Sequence, residues 1–286
     1  IRDYPLHMNE RLRPESGAPV RAKTLRRRVT TTAADRTSIV DAIAPLRRRW
    51  SAHEQLRPVT AAAMRGIRAK AARLGRDHDE IVERCGAAVA DVTRAIAGTR
   101  DATGTRPLFI LAGPNRESAD GLAAALALAD GTRRVVVALC STKARPDDAS
   151  AARAWDRLES APLLERYRIP NMRESAHFRA GLEEVAVIVD ALGGALPSAG
   201  ARTPLVAAID LILRARASGV PCVAVGGPIG LDQESGARRR TAPGADVTVL
   251  FHRRLTTQQS PGAKRLLGES LVASIGIPDE ADPLAT

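Results

Sequence analysis

The chain has 286 residues, with 43 Lys+Arg against 32 Asp+Glu and a formal charge of +11 at pH 7. That length supports a substantial core, and 44% hydrophobic residues exclude a wholly disordered chain. Aromatic residues at 2% speak against a base-stacking platform for single strands, and no apolar run reaches the length of a transmembrane helix.

The charge is concentrated at the start. Residues 1–58 carry 13 basic and 6 acidic side chains, whereas residues 59–286 carry 30 and 26. This divides the chain into a basic N-terminal extension (1–58) and a nearly balanced body (59–286). Almost all of the positive charge is Arg; the lysines are Lys23, Lys70, Lys143 and Lys264. Residues 1–30 contain Pro5, Pro14, Pro19 and Gly17 without a helical period and read as extended. They close on Arg26, Arg27 and Arg28. Residues 37–50 then place Ile39, Val40, Ile43 and Leu46 on one face of a short helix that ends in Arg47, Arg48 and Arg49.

In the body, Thr60 is a candidate N-cap for a helix to Leu74, and Gly75 ends it. A second helix begins at Asp79-Glu80 and runs to Ala97, with Ile81, Cys85, Val89 and Val92 on its apolar face. The period then switches. Strands are expected over 107–112, 134–139, 185–190, 221–225, 247–251 and 270–274, with helices over 122–129, 147–160 and 205–216 between them. Continuous apolar strands alternating with helices predict an α/β fold: a three-layer Rossmann-like parallel sheet with two leading helices and an extended basic N-terminal arm. Ligands in such sheets lie beyond the carboxyl ends of the strands, so the turns at 113–121, 190–196 and 226–232 are the ones to examine.

Cys85, Cys140 and Cys222 are widely spaced and odd in number, so a disulfide framework and a Cys-rich metal site are both unexpected, and a reducing compartment is expected. His7, His53, His78 and His177 show no spacing for a metal or a catalytic triad.

The turns resemble those of the YjeF N-terminal domain family, whose enzyme members are NAD(P)H-hydrate epimerases. Ile81 to Ala90 is similar to the pattern L-M-E-x-A-G-x-x-x-A. Leu111-Ala112-Gly113-Pro114 with Asp120-Gly121-Leu122 resembles A-G-x-G-N-N-G-G-D-G. Val189 to Gly193 resembles V-D-A-L-x-G, Ala245 to Phe251 resembles A-D-x-T-x-x-F, and Ile275-Gly276-Ile277-Pro278 resembles the closing I-G-I-P. The resemblance implies the family's fold over about 59–278.

The same comparison marks departures. Where the family has D-x-P-S-G, with the aspartate as acid/base, this chain reads Gly226-Gly227-Pro228-Ile229-Gly230. Glycine transfers no proton, and Asp232 is expected to be out of reach. The paired asparagines are replaced by Arg116-Glu117, the family's first-helix aspartate falls at about Arg68, and the lysine after the sixth strand is replaced in His252-Arg253-Arg254-Leu255. Gly113, Pro114, Asp120, Gly121, Asp190 and Gly226 are therefore expected to outline a vestigial pocket. The resemblance implies a cation-holding role for the Asp190 position; the residues alone favour a strand-end or helix-cap carboxylate. His252, beside two arginines, is expected at the surface or as a phosphate contact.

These readings converge on an expected pseudoenzyme with no catalytic residue, no metal, no cofactor and no small-molecule ligand. Arg26, Arg27, Arg28, Arg47, Arg48, Arg49, Arg238, Arg239, Arg240, Arg253 and Arg254 are the expected contacts to RNA or a partner, since arginine suits phosphate neutralisation. With Ile1 in place of an initiator Met, the chain is expected to be a processed structural subunit in the mitochondrial matrix. There it would contact ribosomal RNA and neighbouring protein subunits of the mitochondrial ribosome. The alternatives are an accessory subunit of a respiratory-chain complex, an active NAD(P)H-hydrate epimerase, and a free RNA-associated scaffold.

Overall fold

The computed structural model describes residues 33–194, 203–239 and 241–284. Four helices lead: α1 (Ala33–Arg49), α2 (Ser51–Glu54), α3 (Ala61–Arg73) and α4 (His78–Arg100). There follow β1 (Leu108–Ala112), α5 (Ser118–Leu128), β2 (Val135–Leu139), α6 (Ala149–Arg157), β3 (Leu164–Arg168), α7 (Met172–Ser175) and β4 (Val187–Ala191). The order closes with α8 (Pro204–Ala217), β5 (Cys222–Val225), β6 (Val247–Phe251), α9 (Pro261–Leu267) and β7 (Glu269–Ala273).

The seven strands make one parallel sheet in the order β3-β2-β1-β4-β5-β6-β7. Direction of travel reverses between β1 and β4, and that switch point opens a crevice beyond their carboxyl ends. The strand period of two sorts the core into two layers. Leu108, Ile110, Val135, Val137 and Leu139 face α4, α5 and α6, while Phe109, Leu111, Val136 and Ala138 face α8. Thr60 caps α3 as expected, its hydroxyl accepting from Ala63 N at 3.1 Å.

The leading segment, from Ala33 on, is helical and docked on the body. Ile39, Ile43, Leu46 and Trp50 are buried in the same core as α4. The helix expected over 37–50 starts earlier and runs through Pro45. A proline inside a helix costs about 3 kcal/mol, and burial of those four apolar side chains offsets it. Residues 1–32, with the expected extended arm, lie outside the described residues.

β3 was not anticipated. Its sequence Leu164-Glu165-Arg166-Tyr167-Arg168 has no apolar run and is half-exposed at the edge of the sheet. Its charges suit an edge, because they discourage pairing with a second chain.

Candidate functional site

The crevice holds a cavity of ≈280 Å³ walled by α3, the start of α4, the β1–α5 turn, the ends of β5 and β6, and the loop after Gly230. Of the expected pocket residues, Asp120 and Gly226 line it; Gly113, Pro114, Gly121 and Asp190 do not.

Gly121 serves packing. A Cβ there would overlap the Ala191 side chain on β4, so the glycine lets α5 lie close to the sheet. Gly113 donates its N–H to Ser118 Oγ at 2.8 Å, and the same hydroxyl donates to Ala191 O at 2.9 Å. Asn115 Nδ2 donates to Leu192 O at 3.2 Å. Together these bonds join the β1 turn to the β4 turn. Asp190 is fully buried and accepts from Leu192 N at 3.2 Å and Ile229 N at 2.7 Å. It fastens the β4 end to the 226–230 turn. Burial pushes its carboxyl up to about 6, and the two backbone N–H groups hold it back.

Asp120 sits on the first turn of α5 with 8% of its surface exposed, at the cavity floor. Burial raises its carboxyl to about 6, against the opposing pull of Arg68, Arg116 and Cys85. Arg68 Nη2 lies 3.8 Å from Cys85 Sγ, and burial pushes that thiol well above its ordinary range. Gly226 has φ +71, and its carbonyl accepts from Gln258 Nε2 at 3.1 Å.

Asp232, expected out of reach, instead forms part of the cavity wall beside Gln233 and Glu234. The loop folds back through the Leu231–Arg238 bridge, which sequence distance does not reveal. Asp232 Oδ1 accepts from Glu234 N at 3.0 Å, Ser235 N at 2.7 Å and Ser235 Oγ at 2.9 Å. Those bonds hold its carboxyl below the usual range, so it is an ionised turn former.

The expected arginine contacts divide. Arg253 has no exposed side chain; it pairs with Asp282 and donates from Nη1 to Arg57 O at 2.9 Å, so it is a core ion pair. His252, expected at the surface, is 3% exposed, has φ +64, and lies 2.8 Å from Asp282 Oδ2. Arg47 binds Glu269 and Arg49 binds Asp91, at 2.9 and 2.8 Å, and Arg254 donates to Ser270 Oγ at 2.5 Å. Arg48 and Arg239 are exposed, and so is Arg238. Arg26, Arg27, Arg28 and Arg240 lie outside the described residues. Sequence reasoning missed His78, Gln233 and Gln258 as cavity residues; they come from separate elements and share no motif. Among the described residues no group of His, Cys, Asp and Glu is placed to hold a metal, and no helix is long and apolar enough to cross a membrane.

A seven-stranded parallel sheet with a polar crevice at its switch point, lined by a buried carboxyl on the first turn of a helix, is a Rossmann-like α/β fold. Residues 78–256 match the family described as YjeF-related protein N-terminus. This chain belongs to that family. It is 31% identical over 215 residues to a bifunctional NAD(P)H-hydrate repair enzyme of Methanothermobacter thermautotrophicus, covering 73% of this chain and 38% of that protein. It thus spans well under half the length of that relative. It is 30% identical over 184 residues to an NAD(P)H-hydrate epimerase of Cenarchaeum symbiosum, covering 63% of this chain and 78% of the other. The crystal structure of yeast ynu0 shares the fold, with a TM-score of 0.56 and 21% identity over 70% of this chain and 82% of that one. The expected pseudoenzyme character is overturned by these relatives, which are named as enzymes. The carboxylate absent at Gly226 leaves Asp120, already expected in the pocket, as a buried carboxyl in the same cavity.

Proposed function

We propose that this chain is an NAD(P)H-hydrate epimerase in which Asp120 moves the proton. Inverting a stereocentre by proton movement needs a group that holds a proton in one half of the cycle and releases it in the other. The observation that carries this reading is the Asp120 carboxyl, buried at the cavity floor and raised to about 6, near the range in which acid–base catalysis works best. The names of the matched relatives supply the substrate class.

The expected ribosomal role rested on free arginines. Arg253 is internal, and Arg47, Arg49 and Arg254 bond to the chain's own side chains, so the epimerase alternative is the better supported.

The test is epimerisation of hydrated NADH by the purified chain and by Asp120→Asn. The variant is expected to lose roughly 10²–10⁴-fold in rate. The wild-type kcat/KM should show an ionisation limb near the Asp120 value of about 6. An Asp120→Asn protein with full activity would reject the assignment.

A further inference from the structure

Three glycines from two turns clear space for one side chain in the cavity wall. Gly194 follows β4, and Gly226-Gly227 follow β5. A Cβ at Gly227 would stand 3.3 Å from the Gln233 carboxamide nitrogen, and one at Gly226 would stand 3.8 Å from it. A Cβ at Gly194 would stand 3.4 Å from Gln233 Cγ. The backbone of the loop is fixed: Thr257 Oγ1 donates to Gln233 O at 2.9 Å, and Asp232 Oδ1 accepts from Glu234 N and Ser235 N. The Gln233 carboxamide, by contrast, has no hydrogen-bond partner among the described residues, and the side chain is half-buried. Where the resemblance implies a carboxylate at position 226, this chain thus sets a neutral amide in the adjoining space.

We propose that Gln233 holds the hydroxyl that hydration adds to the nicotinamide ring, and so makes the cavity prefer the hydrated dinucleotide to the unhydrated one. The proposal rests on the epimerase reading for the identity of the ligand. Hydration adds H and OH across a ring double bond, so the two ligands differ by one hydroxyl. A carboxamide donates from its nitrogen and accepts at its oxygen, and a hydroxyl does both in return. A phosphate or carboxylate could use only the nitrogen. Asp232 and Glu234 flank Gln233 on the same wall, and their charges oppose an anionic group there.

Glutamine loses much rotamer freedom when its side chain is confined. Its carboxamide gains no bond from the chain in return, and a ligand hydroxyl supplies two. Asp120 lines the same cavity, so a hydroxyl held by Gln233 stays within the space where that carboxyl acts. Gln233 itself moves no proton; it selects and holds the group.

The experiment is isothermal titration of the full chain with hydrated NADH, as the equilibrated mixture of epimers, and separately with NADH. Hydrated NADH is expected to bind roughly three- to tenfold more tightly, the worth of one neutral hydrogen bond. Gln233→Ala and Gln233→Met should each bind the two ligands alike. Methionine keeps the length and bulk of the side chain without its hydrogen bonds, so it separates bonding from filling. Both variants should keep the wild-type urea midpoint, because the carboxamide bonds to no described residue. A preference that survives in Gln233→Met, equal binding of the two ligands by the wild type, or no measurable binding of hydrated NADH would each overturn the proposal. If the preference depends on Gln233 but hydrated NADH is not epimerised, only the activity reading falls.

Discussion

Asp120 and Asp190 are both buried carboxyls raised to about 6, yet they differ in what surrounds them. Asp190 spends its oxygens on two backbone N–H groups and has no face on the cavity. Asp120 faces the cavity, where the charges of Arg68 and Arg116 and a hydrogen bond with Cys85, rather than backbone amides, oppose the effect of burial. A raised carboxyl pKa means that the native state holds the proton more tightly than the unfolded chain. The penalty for Asp120 is absent below pH 4, grows between 4 and 6, and is complete above. Asp120→Asn escapes it. Its stability relative to wild type should therefore rise from pH 4 to pH 8 by on the order of 2–3 kcal/mol, given a shift from 3.8 to about 6. Urea unfolding of both proteins at the two pH values measures this; a pH-independent difference would refute the ionisation argument.

At the scale of elements, the contact between α4 and α5 places the Asp120 turn over the sheet. Gly86 of α4 makes that approach possible, since a Cβ there would come within 2.7 Å of Ala124 N. Gly86→Ala should cost about 1–3 kcal/mol through forced separation of the helices, read as a lower urea midpoint at unchanged slope. Gly86 and Gly121 were legible as family motif positions, but their packing role was not, because a motif records spacing and not which surfaces touch. The buried strands were equally legible: Val135 to Leu139 and Val247 to Phe251 are β-branched or apolar runs that only a covered parallel sheet accommodates. β3 was hidden because an edge strand needs no such run. The cavity wall was hidden because Asp232 and Gln258 reach it through loop folding. Charge runs misled for a related reason: Arg47-Arg48-Arg49 and Arg253-Arg254 look alike in sequence, whereas Arg253 is internal and Arg48 faces solvent.

Across the whole molecule, Arg253, His252 and Asp282 make a knot among distant segments. Arg253 Nη1 reaches Arg57 O, and His53 Nδ1 lies 3.1 Å from His252 O. Asp282 thus joins the region after β6 to the segment that links α2 to α3. Removing one partner of a buried ion pair leaves an uncompensated charge. Asp282→Ala should therefore cost about 3–5 kcal/mol, with protease sensitivity appearing first in residues 50–58. Uniform loss of protection across the chain would show that the knot is no local fastening.

The same knot sets an order of events during synthesis. Arg253 emerges from the ribosome 29 residues ahead of its carboxylate partner. Until residue 282 is made, Arg253 lacks its carboxylate partner, although α1 can already pack on α4 through Ile39, Ile43, Leu46 and Trp50. Fastening of the segment between α2 and α3, rather than docking of α1, is thus the step that waits for the end of the chain to be made.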